Sequence, residues 1–320
     1  MIYTELENCN KKASRLVYGT GNTPIMGEDV GAAKECIQTA YDCGFTIFDS
    51  AYAYGHAEKN FGHWLAQTGN RENVIIFDKG CNPGQDGSED VMSDELIRRQ
   101  NAESLDRLQT DYVDFYVLHR DEPEYPVEKV IDVLNELKDD KKIRKFGVSN
   151  WTLPRIIEAN AYAKTHGLEG FSVLSPAYSM VDFVSDPWGR SVALSGEANR
   201  EMREWYENQE MPVFPYSSLA RGYLSGKFRT DGDKPIEECL WWAPIQEYDC
   251  EENRVILARA EKMAKEKDVT VSQIALAWLL HQPMDIYPIV SPSSEKHMLD
   301  NIAALHLSLT KEEIDWLHSV

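Results

Sequence analysis

Short apolar runs recur along this chain at intervals typical of alternating strands and helices. Eight runs rich in Val, Ile, Phe and Tyr begin at Ser14, Phe45, Asn73, Tyr112, Ile143, Phe171, Pro212 and Ile286. Most starts lie about 30 to 40 residues apart, room for a strand and a crossover helix, and only the last gap is longer. Because parallel strands need such crossovers, the spacing predicts eight βα units around a parallel sheet.

Helix patterns fill the gaps between these runs. A start at Ser93 and an apolar stripe over Val127–Leu137 predict two helices, and Glu252–Lys267 and Thr270–Leu280 predict two more before the last strand. The stretch from Arg221 to Glu251, rich in Gly, Asp and Trp, is expected to be a long loop after the seventh strand. Residues 1–13 precede the first strand and are expected to cap the floor of the sheet.

The fold class that accommodates eight such units is an α/β (β/α)8 TIM barrel. No Gly-, Ser- or Pro-rich linker divides the chain, so residues 1–320 are expected to form a single domain. The first strand lacks a Gly-x-Gly-x-x-Gly turn, which disfavours an open dinucleotide-binding sheet. Functional residues of a barrel lie at the C-terminal ends of its strands, and candidates are sought there.

Charge and composition exclude several classes of partner. Asp and Glu outnumber Lys and Arg by 53 to 33, a net charge of −20. Nucleic acid and anionic membranes both require a basic footprint, so neither is an expected partner. No apolar run approaches the roughly 20 residues of a membrane helix, and no signal peptide is visible. Six scattered cysteines without a Cys-x-x-Cys pair indicate reduced thiols, no metal site and a cytoplasmic protein.

Polar side chains follow three consecutive strands at their predicted C-terminal ends. Asp49 ends the second strand, Lys79 the third and His119 the fourth, and Tyr54 lies just beyond Asp49. Neighbouring strands lie roughly 5 Å apart, so these groups can converge. An Asp partner keeps a Lys charged, and a nearby ammonium favours ionisation of a tyrosine, which can then protonate an oxygen that gains negative charge. The arrangement suits reduction of a carbonyl by an external hydride.

These residues, in this order, resemble the catalytic tetrad of the aldo-keto reductases. The string Asp49–Gly55, with Lys79 and His119 at strand ends, carries the resemblance. It extends over nearly the whole chain through the strings 147–150 and 215–219, with Gly226, Lys227 and the helix start at 293–301. The resemblance implies that Tyr54 is the general acid, tuned by Lys79, that Asp49 pairs with Lys79, and that His119 orients the carbonyl or assists proton transfer.

The resemblance also implies a nicotinamide dinucleotide cofactor. Ser149 and Asn150 match contacts of the carboxamide, Tyr216 matches the aromatic that stacks on the nicotinamide, and the pyrophosphate loop contains Ser217, Leu219, Gly226 and Lys227. The remaining residues of the implied cofactor site lie near strand ends and the last βα turn: Thr20, Asp49, Ser175, Ser291, Ser293, His297, Asp300 and Asn301.

Two departures from the family pattern concern this cofactor. Ser175 stands where Gln is usual, so one nicotinamide contact is shortened or replaced by water. His297 stands where Arg often grips a 2′-phosphate, and loss of a bidentate Arg weakens phosphate recognition. NADPH, the default of the family, is still the expected cofactor, and the weakened phosphate site makes NADH a serious rival.

The substrate is expected to be a small-molecule carbonyl compound, an aldehyde or ketone, with sugar-derived carbonyls among the candidates. Tyr52, Arg120, Trp151, Trp241 and Trp242 follow strand ends and are candidates for its pocket, with loop packing as the alternative for the tryptophans. Two other functions stay open: a slow, redox-sensing regulatory member of the family that binds a partner protein, and a Schiff-base aldolase using Lys79. The Asp49 partner disfavours the aldolase, because a charged lysine is a poor nucleophile. The oligomeric state and the physiological direction are not predicted.

Overall fold

The structure is a computed structural model of the chain, and it describes residues 1–6, 9–82, 92–209 and 211–318. The chain divides into two compact units. The first comprises Met1–Ser175 and Ser291–Glu295, and the second comprises Pro176–Val290 and Lys296–Val320. The single-domain organisation of residues 1–320 stays a prediction.

The first unit begins with an antiparallel hairpin of β1 (Tyr3–Leu6) and β2 (Cys9–Ser14). Lys11 of β2 extends its ammonium to the carbonyl of Val74 at 2.8 Å and to Asp114 at 3.0 Å. Both partners lie near the N-terminal ends of strands, so the hairpin covers that end of the sheet. The predicted N-terminal cap on the floor is therefore present, as a hairpin anchored by a buried ion pair.

Six parallel strands form the sheet of the first unit. They are β3 (Val17–Gly19), β4 (Ile47–Asp49), β5 (Ile75–Gly80), β6 (Val113–Leu118), β7 (Ile143–Val148) and β8 (Val173–Leu174). They lie side by side in sequence order, with every neighbouring pair parallel. Side chains of β4, β5 and β6 are buried on both faces, as expected for strands with side chains inside the sheet and helices outside it.

Helices connect these strands. They are α1 (Thr23–Met26), α2 (Val30–Asp42), α3 (Ala57–Thr68), α4 (Asp94–Leu108), α5 (Val127–Asp139) and α6 (Leu153–His166). The predicted start at Ser93 is confirmed, because its hydroxyl accepts the N–H of Leu96 and caps α4. The stripe predicted for α5 is confirmed as its buried face.

The second unit contains α7 (Arg200–Glu207), α8 (Ile236–Cys239), α9 (Trp242–Tyr248), α10 (Glu251–Lys267), α11 (Val271–Leu280), the strand β9 (Ile289–Val290), α12 (Glu295–Ala303) and α13 (Lys311–His318). The two helices predicted before the last strand correspond to α10 and α11, and Thr270 caps α11 in a capping box. The stretch predicted as a long loop after the seventh strand is present but contains the short helices α8 and α9.

The run predicted as the seventh strand, from Pro212, makes only isolated bridges. Val213 bridges Ile286 in parallel, and Tyr216 bridges Ala177. Pro212 and Pro215 flank Val213 and lack the N–H that a ladder requires, so the pairing cannot extend. The direction of the pairing is the one predicted, but its length is not.

No helix among residues 1–6, 9–82, 92–209 and 211–318 is long and apolar enough to cross a membrane.

Candidate active site

Three adjacent strands of the first unit position the charged side chains. Asp49 is the last residue of β4 and lies beside Phe77 of β5, and Lys79 follows two residues later on β5. His119 comes directly after β6, and its N–H donates to the carbonyl of Gly80 at 2.7 Å. Parallel pairing therefore places Asp49, Lys79 and His119 at one end of the sheet, where the sequence predicted them.

Lys79 and Asp49 form a buried ion pair, and each residue is only 3% exposed. The ammonium also donates to the carbonyl of Ser50 at 3.0 Å. Burial alone would lower the pKa of Lys79, but the ion pair with Asp49, with contributions from Tyr54 and Asp78, outweighs the effect of burial and raises that pKa. Burial raises the pKa of the Asp49 carboxyl, and the Lys79 ammonium opposes this rise. Lys79 is therefore a fixed ammonium at neutral pH.

Tyr54 lies close to both Lys79 and His119. The Lys79 ammonium is 5.1 Å from the centre of the Tyr54 ring. The ring of His119 approaches the same ring edge-on, with 5.9 Å between the ring centres and an angle of 79° between the planes. The four predicted catalytic residues are thus neighbours in one unit of the structure.

His119 is held as a neutral imidazole. Burial, followed by the positive charges of Lys79 and Arg120, lowers the pKa of His119 well below its usual range. Its Nδ1 atom is buried without a hydrogen-bond partner among the residues that the structure describes. A neutral imidazole can orient an oxygen by a hydrogen bond, but it holds no second proton to donate.

A hydrogen-bonded chain of small polar side chains adjoins His119. The amide of Asn150 donates to the carbonyl of His119 at 3.0 Å and to the hydroxyl of Ser149 at 2.9 Å. That hydroxyl donates to the carbonyl of Ser175 at 2.6 Å. Asn150 has a φ of 62°, a left-handed conformation that asparagine tolerates better than most residues. These three predicted cofactor residues are therefore together, beside the tetrad.

The other predicted cofactor residues of the first unit differ in exposure. Thr20 is fully buried and donates its hydroxyl to Ser50 at 3.0 Å, so it supports the strand that carries Asp49. Ser291 and Ser293 are exposed. The segment that contains them is attached by the Tyr18 hydroxyl, which donates to the carbonyl of Pro292 at 2.9 Å.

The predicted pyrophosphate loop lies in the second unit and has an unusual backbone. Positive φ angles occur at Ser217 (54°), Ala220 (49°) and Arg221 (51°), and also at Gly222 and Gly226. Non-glycine residues rarely adopt this conformation, and clusters of it occur at ligand-binding sites. Alternation of right- and left-handed residues can direct successive N–H groups toward an anion.

The remaining predicted residues of this loop are partly accessible or exposed. Tyr216 and Leu219 are partly exposed, and Lys227 is exposed.

The predicted adenosine-end residues of the second unit lie on α12. His297 is exposed, whereas Asn301 is buried. The carboxylate of Asp300 accepts hydrogen bonds from Thr270 at 3.0 Å and from Gln273 at 2.9 Å. Asp300 therefore secures the start of α11, a structural role that the sequence did not indicate.

The substrate-pocket candidates of the first unit are unequally accessible. Trp151 is 1% exposed, packs edge-on against Phe171 and donates its indole N–H to the carbonyl of Arg120 at 3.4 Å. The burial of Trp151 therefore favours loop packing, the alternative role given above for the tryptophans. Tyr52 and Arg120 are partly exposed.

In the second unit, Trp241 and Trp242 are half exposed and form a cluster with Trp188. Ring centres within the cluster are 5.3 to 6.5 Å apart. The indole N–H of Trp188 donates to buried Glu247, which also pairs with Arg221 at 2.7 Å. Burial raises the pKa of Glu247, and Arg221 opposes this rise. The cluster thus presents indole faces on a base that is held by an ion pair.

The sequence reasoning missed a buried polar cluster beside β5. Asp78 precedes Lys79, so strand alternation sends its side chain to the opposite face, toward α3 and α4. There it meets Glu58, which pairs with Arg107 at 3.0 Å. Burial, followed by the charge of Glu58, raises the pKa of Asp78 well above its usual range. The signal in the sequence was an ionisable residue in a strand that is buried on both faces.

Among the residues that the structure describes, no group of three or more His, Cys, Asp or Glu side chains is arranged to hold a metal ion.

Comparison with known proteins establishes the fold class and the family. A solved structure of the thermostable aldo-keto reductase Tm1743, in complex with the inhibitor epalrestat, matches 100% of this chain and 99% of its own, with a TM-score of 0.73 and 24% identity. The predicted fold class, an α/β (β/α)8 barrel, is confirmed. The model of the aldo/keto reductase family matches residues 15–320. The chain belongs to the aldo/keto reductase family, a family of oxidoreductases.

Two curated proteins similar to this chain have names that describe different functions. Aldo-keto reductase yakc [NADP(+)] of Schizosaccharomyces pombe is 29% identical over 293 residues, which cover 89% of this chain and 82% of that protein. A probable voltage-gated potassium channel subunit beta of Oryza sativa is 27% identical and covers 100% of this chain and 96% of that protein.

Proposed function

We propose that this protein is an NAD(P)H-dependent carbonyl reductase in which Tyr54 protonates the substrate oxygen. The observation that carries the proposal is that Tyr54 lies close to both a fixed ammonium, Lys79, and a neutral imidazole, His119. An ammonium stabilises the negative charge that a phenol acquires as it gives up a proton. A neutral imidazole leaves Tyr54 as the proton donor.

The proposed mechanism assigns a role to each residue. Asp49 keeps Lys79 charged and in place, Lys79 favours ionisation of Tyr54, and His119 directs the carbonyl oxygen by a hydrogen bond. Lys79 is unsuited to Schiff-base chemistry, because a buried ammonium paired with Asp49 has no lone pair to attack a carbonyl. When bound, the reduced nicotinamide supplies the hydride.

The polar groups of the described residues fit such a cofactor. In the first unit, Ser149, Asn150 and Ser175 would hold the carboxamide, since hydroxyl, amide and carbonyl groups match its donors and acceptors. In the second unit, Ser217, Leu219, Gly226 and Lys227 would hold the pyrophosphate and Tyr216 the ring, supported by the left-handed backbone of that loop. We propose NADPH before NADH: a yeast relative is named for NADP(+), and His297 and Ser293 are exposed.

The substrate is proposed to be an aldehyde or ketone, with sugar-derived carbonyls among the candidates. Tyr52, Arg120, Trp241 and Trp242 are proposed to contact it, and the burial of Trp151 favours a supporting role there. The protein is also proposed to be cytoplasmic.

Titration of cofactor fluorescence with NADPH and NADH, followed by a panel of carbonyl compounds, tests the proposal. Tyr54→Phe is expected to abolish multiple turnover, because the proton donor is gone, and to leave the cofactor dissociation constant within about twofold. Turnover by Tyr54→Phe at nearly the wild-type rate would contradict the assignment.

A second candidate is a regulatory, redox-sensing protein that binds a cofactor and a partner protein. The full-length similarity to a probable potassium channel subunit beta of rice favours it. The tetrad does not separate the two functions, since slow hydride transfer also needs a proton donor. Rapid multiple turnover on a carbonyl panel supports the enzyme, and a single slow oxidation of bound NADPH without further turnover supports the regulator.

A further inference from the structure

One arginine of α4, Arg107, contacts the loop that carries Tyr54. Arg107 donates to the carbonyl of Tyr52 at 3.4 Å, and its guanidinium lies 4.1 Å from the centre of the Tyr52 ring. Both contacts act on the same residue, two positions before Tyr54. A planar guanidinium can stack and donate at once, which a lysine ammonium cannot do.

Tyr52 is also tied to the strand that carries Lys79. Its N–H donates to the carbonyl of Lys79 at 2.8 Å, and its hydroxyl donates to Glu103 at 2.6 Å. Glu103 in turn accepts from Arg107 at 3.3 Å. Tyr52 is therefore fixed at its N–H, its carbonyl, its ring face and its hydroxyl.

From Tyr52 the fixed geometry reaches Tyr54 through a tight turn. The N–H of Tyr54 donates to the carbonyl of Ala51 at 2.9 Å, and Gly55 follows with a φ of 55°. A Cβ at Gly55 would lie 2.9 Å from the carbonyl oxygen of Met26, so the turn has little room to shift. Displacement of Tyr52 would therefore displace the Tyr54 ring.

Arg107 has its own buried anchor. Glu58 of α3 is 2% exposed and accepts from Arg107 at 3.0 Å, while the Arg107 side chain is 23% exposed. The other oxygen of Glu58 faces the buried region of Asp78 and Ser104. Glu58 therefore lies next to β5, on the face opposite to the Lys79 side chain.

We propose that Arg107 is a positioning residue that sets the distance between the Tyr54 phenol and the Lys79 ammonium, acting through Tyr52 and anchored by Glu58. This inference rests on the proposed role of Tyr54 as general acid. It assigns to α4, a helix outside the tetrad, control over the geometry of proton transfer.

The test uses the full chain and the variants Arg107→Met and Arg107→Lys. A misplacement of about 1 Å costs up to about 100-fold in rate, so Arg107→Met is expected to lower kcat by about 10- to 100-fold while the NADPH dissociation constant changes by less than about twofold. Arg107→Lys keeps the charge next to Glu58 and is expected to recover part of kcat. Arg99→Met is the matched control: Arg99 also pairs with Glu103, at 3.3 Å, from the preceding turn of α4, and kcat should be unchanged.

A second readout does not depend on turnover. The titration of the Tyr54 phenol, measured as the difference in phenolate absorbance between each protein and its Tyr54→Phe counterpart, is expected to move to higher pH in Arg107→Met, because the phenol is held less closely to the ammonium. A purely structural role would lower the melting temperature and leave this titration and kcat per folded molecule unchanged, which would overturn the inference. If Arg107→Met does not fold, Arg107→Lys decides between the same two outcomes. If the wild type reduces no carbonyl compound, the proposed function fails, and the Tyr54 titration still decides the role of Arg107.

Discussion

The region around Lys79 and the tryptophan cluster around Glu247 each contain an ion pair with a buried carboxylate, but they differ in how far their side chains are exposed to solvent. Asp49 and Lys79 are nearly inaccessible on both sides of their pair, whereas Arg221 is 29% exposed and the indoles above it are half exposed. A buried charge keeps its full electrostatic effect on a neighbour, and an exposed ring is available for contact with a ligand. These differences support the proposal of chemistry at the first region and of ligand contact at the second.

The largest expected effect separates stability from chemistry at Lys79. Lys79→Met leaves Asp49 buried without its partner, which costs about 3 to 5 kcal/mol of unfolding free energy. It should also lower kcat by about 100- to 10,000-fold, because the proton donor loses its ammonium. Urea unfolding and steady-state kinetics measure the two. Asp49→Asn combined with Lys79→Met should restore most of the stability and none of the turnover, and recovery of turnover would contradict the role of Lys79.

The next prediction concerns the exposed tryptophans. Trp241→Ala combined with Trp242→Ala is expected to raise KM for the best carbonyl substrate by about tenfold and to leave kcat within about threefold, because these rings are proposed to contribute to binding and not to proton transfer. Competition between substrates of different ring size measures the change in preference. A drop in kcat of the size expected for Lys79→Met would show that the two regions are not functionally separate.

A smaller effect is expected at Asp78. Its pKa is raised in the folded state, so the folded protein binds more protons than the unfolded chain above the ordinary Asp pKa of about 3.9. Stability is then present at low pH and is lost as pH rises through the folded-state pKa. Asp78→Asn carries an amide where the protonated carboxyl stood and should remove this loss. Its melting temperature should exceed that of the wild type at about pH 8, and the difference should narrow as pH falls; an equal difference at every pH would contradict a titrating Asp78.

The smallest expected effect is that the pH profile of kcat contains no ionisation step of His119. Because the pKa of His119 lies well below its usual range, kcat should show no ionisation step between about pH 6 and 8 that His119→Asn removes. An ionisation step at about pH 6.5 that is lost in this variant would show that His119 titrates as an ordinary imidazole. This outcome would weaken the assignment of Tyr54 as the proton donor.

Much of the first unit could be predicted from local patterns. The spacing of apolar runs, the Ser93 cap and the stripe of α5 are local features, and the structure confirms them. The seventh strand was predicted too long, because prolines at 212 and 215 remove ladder donors without removing the apolar pattern. The buried cluster of Glu58, Asp78 and Arg107 could not be predicted, since it depends on how closely α3, α4 and β5 pack.

What the sequence by itself determined is the order of the proposed reacting groups, Asp49, Tyr54, Lys79 and His119, at or near successive strand ends. The tertiary structure decided their electrical state. A side chain's charge depends on the water removed from it and on the charges brought near it, and both are set by residues distant in the chain. Packing alone made His119 neutral and Lys79 a buried ammonium, and placed Arg107 behind the loop of Tyr54.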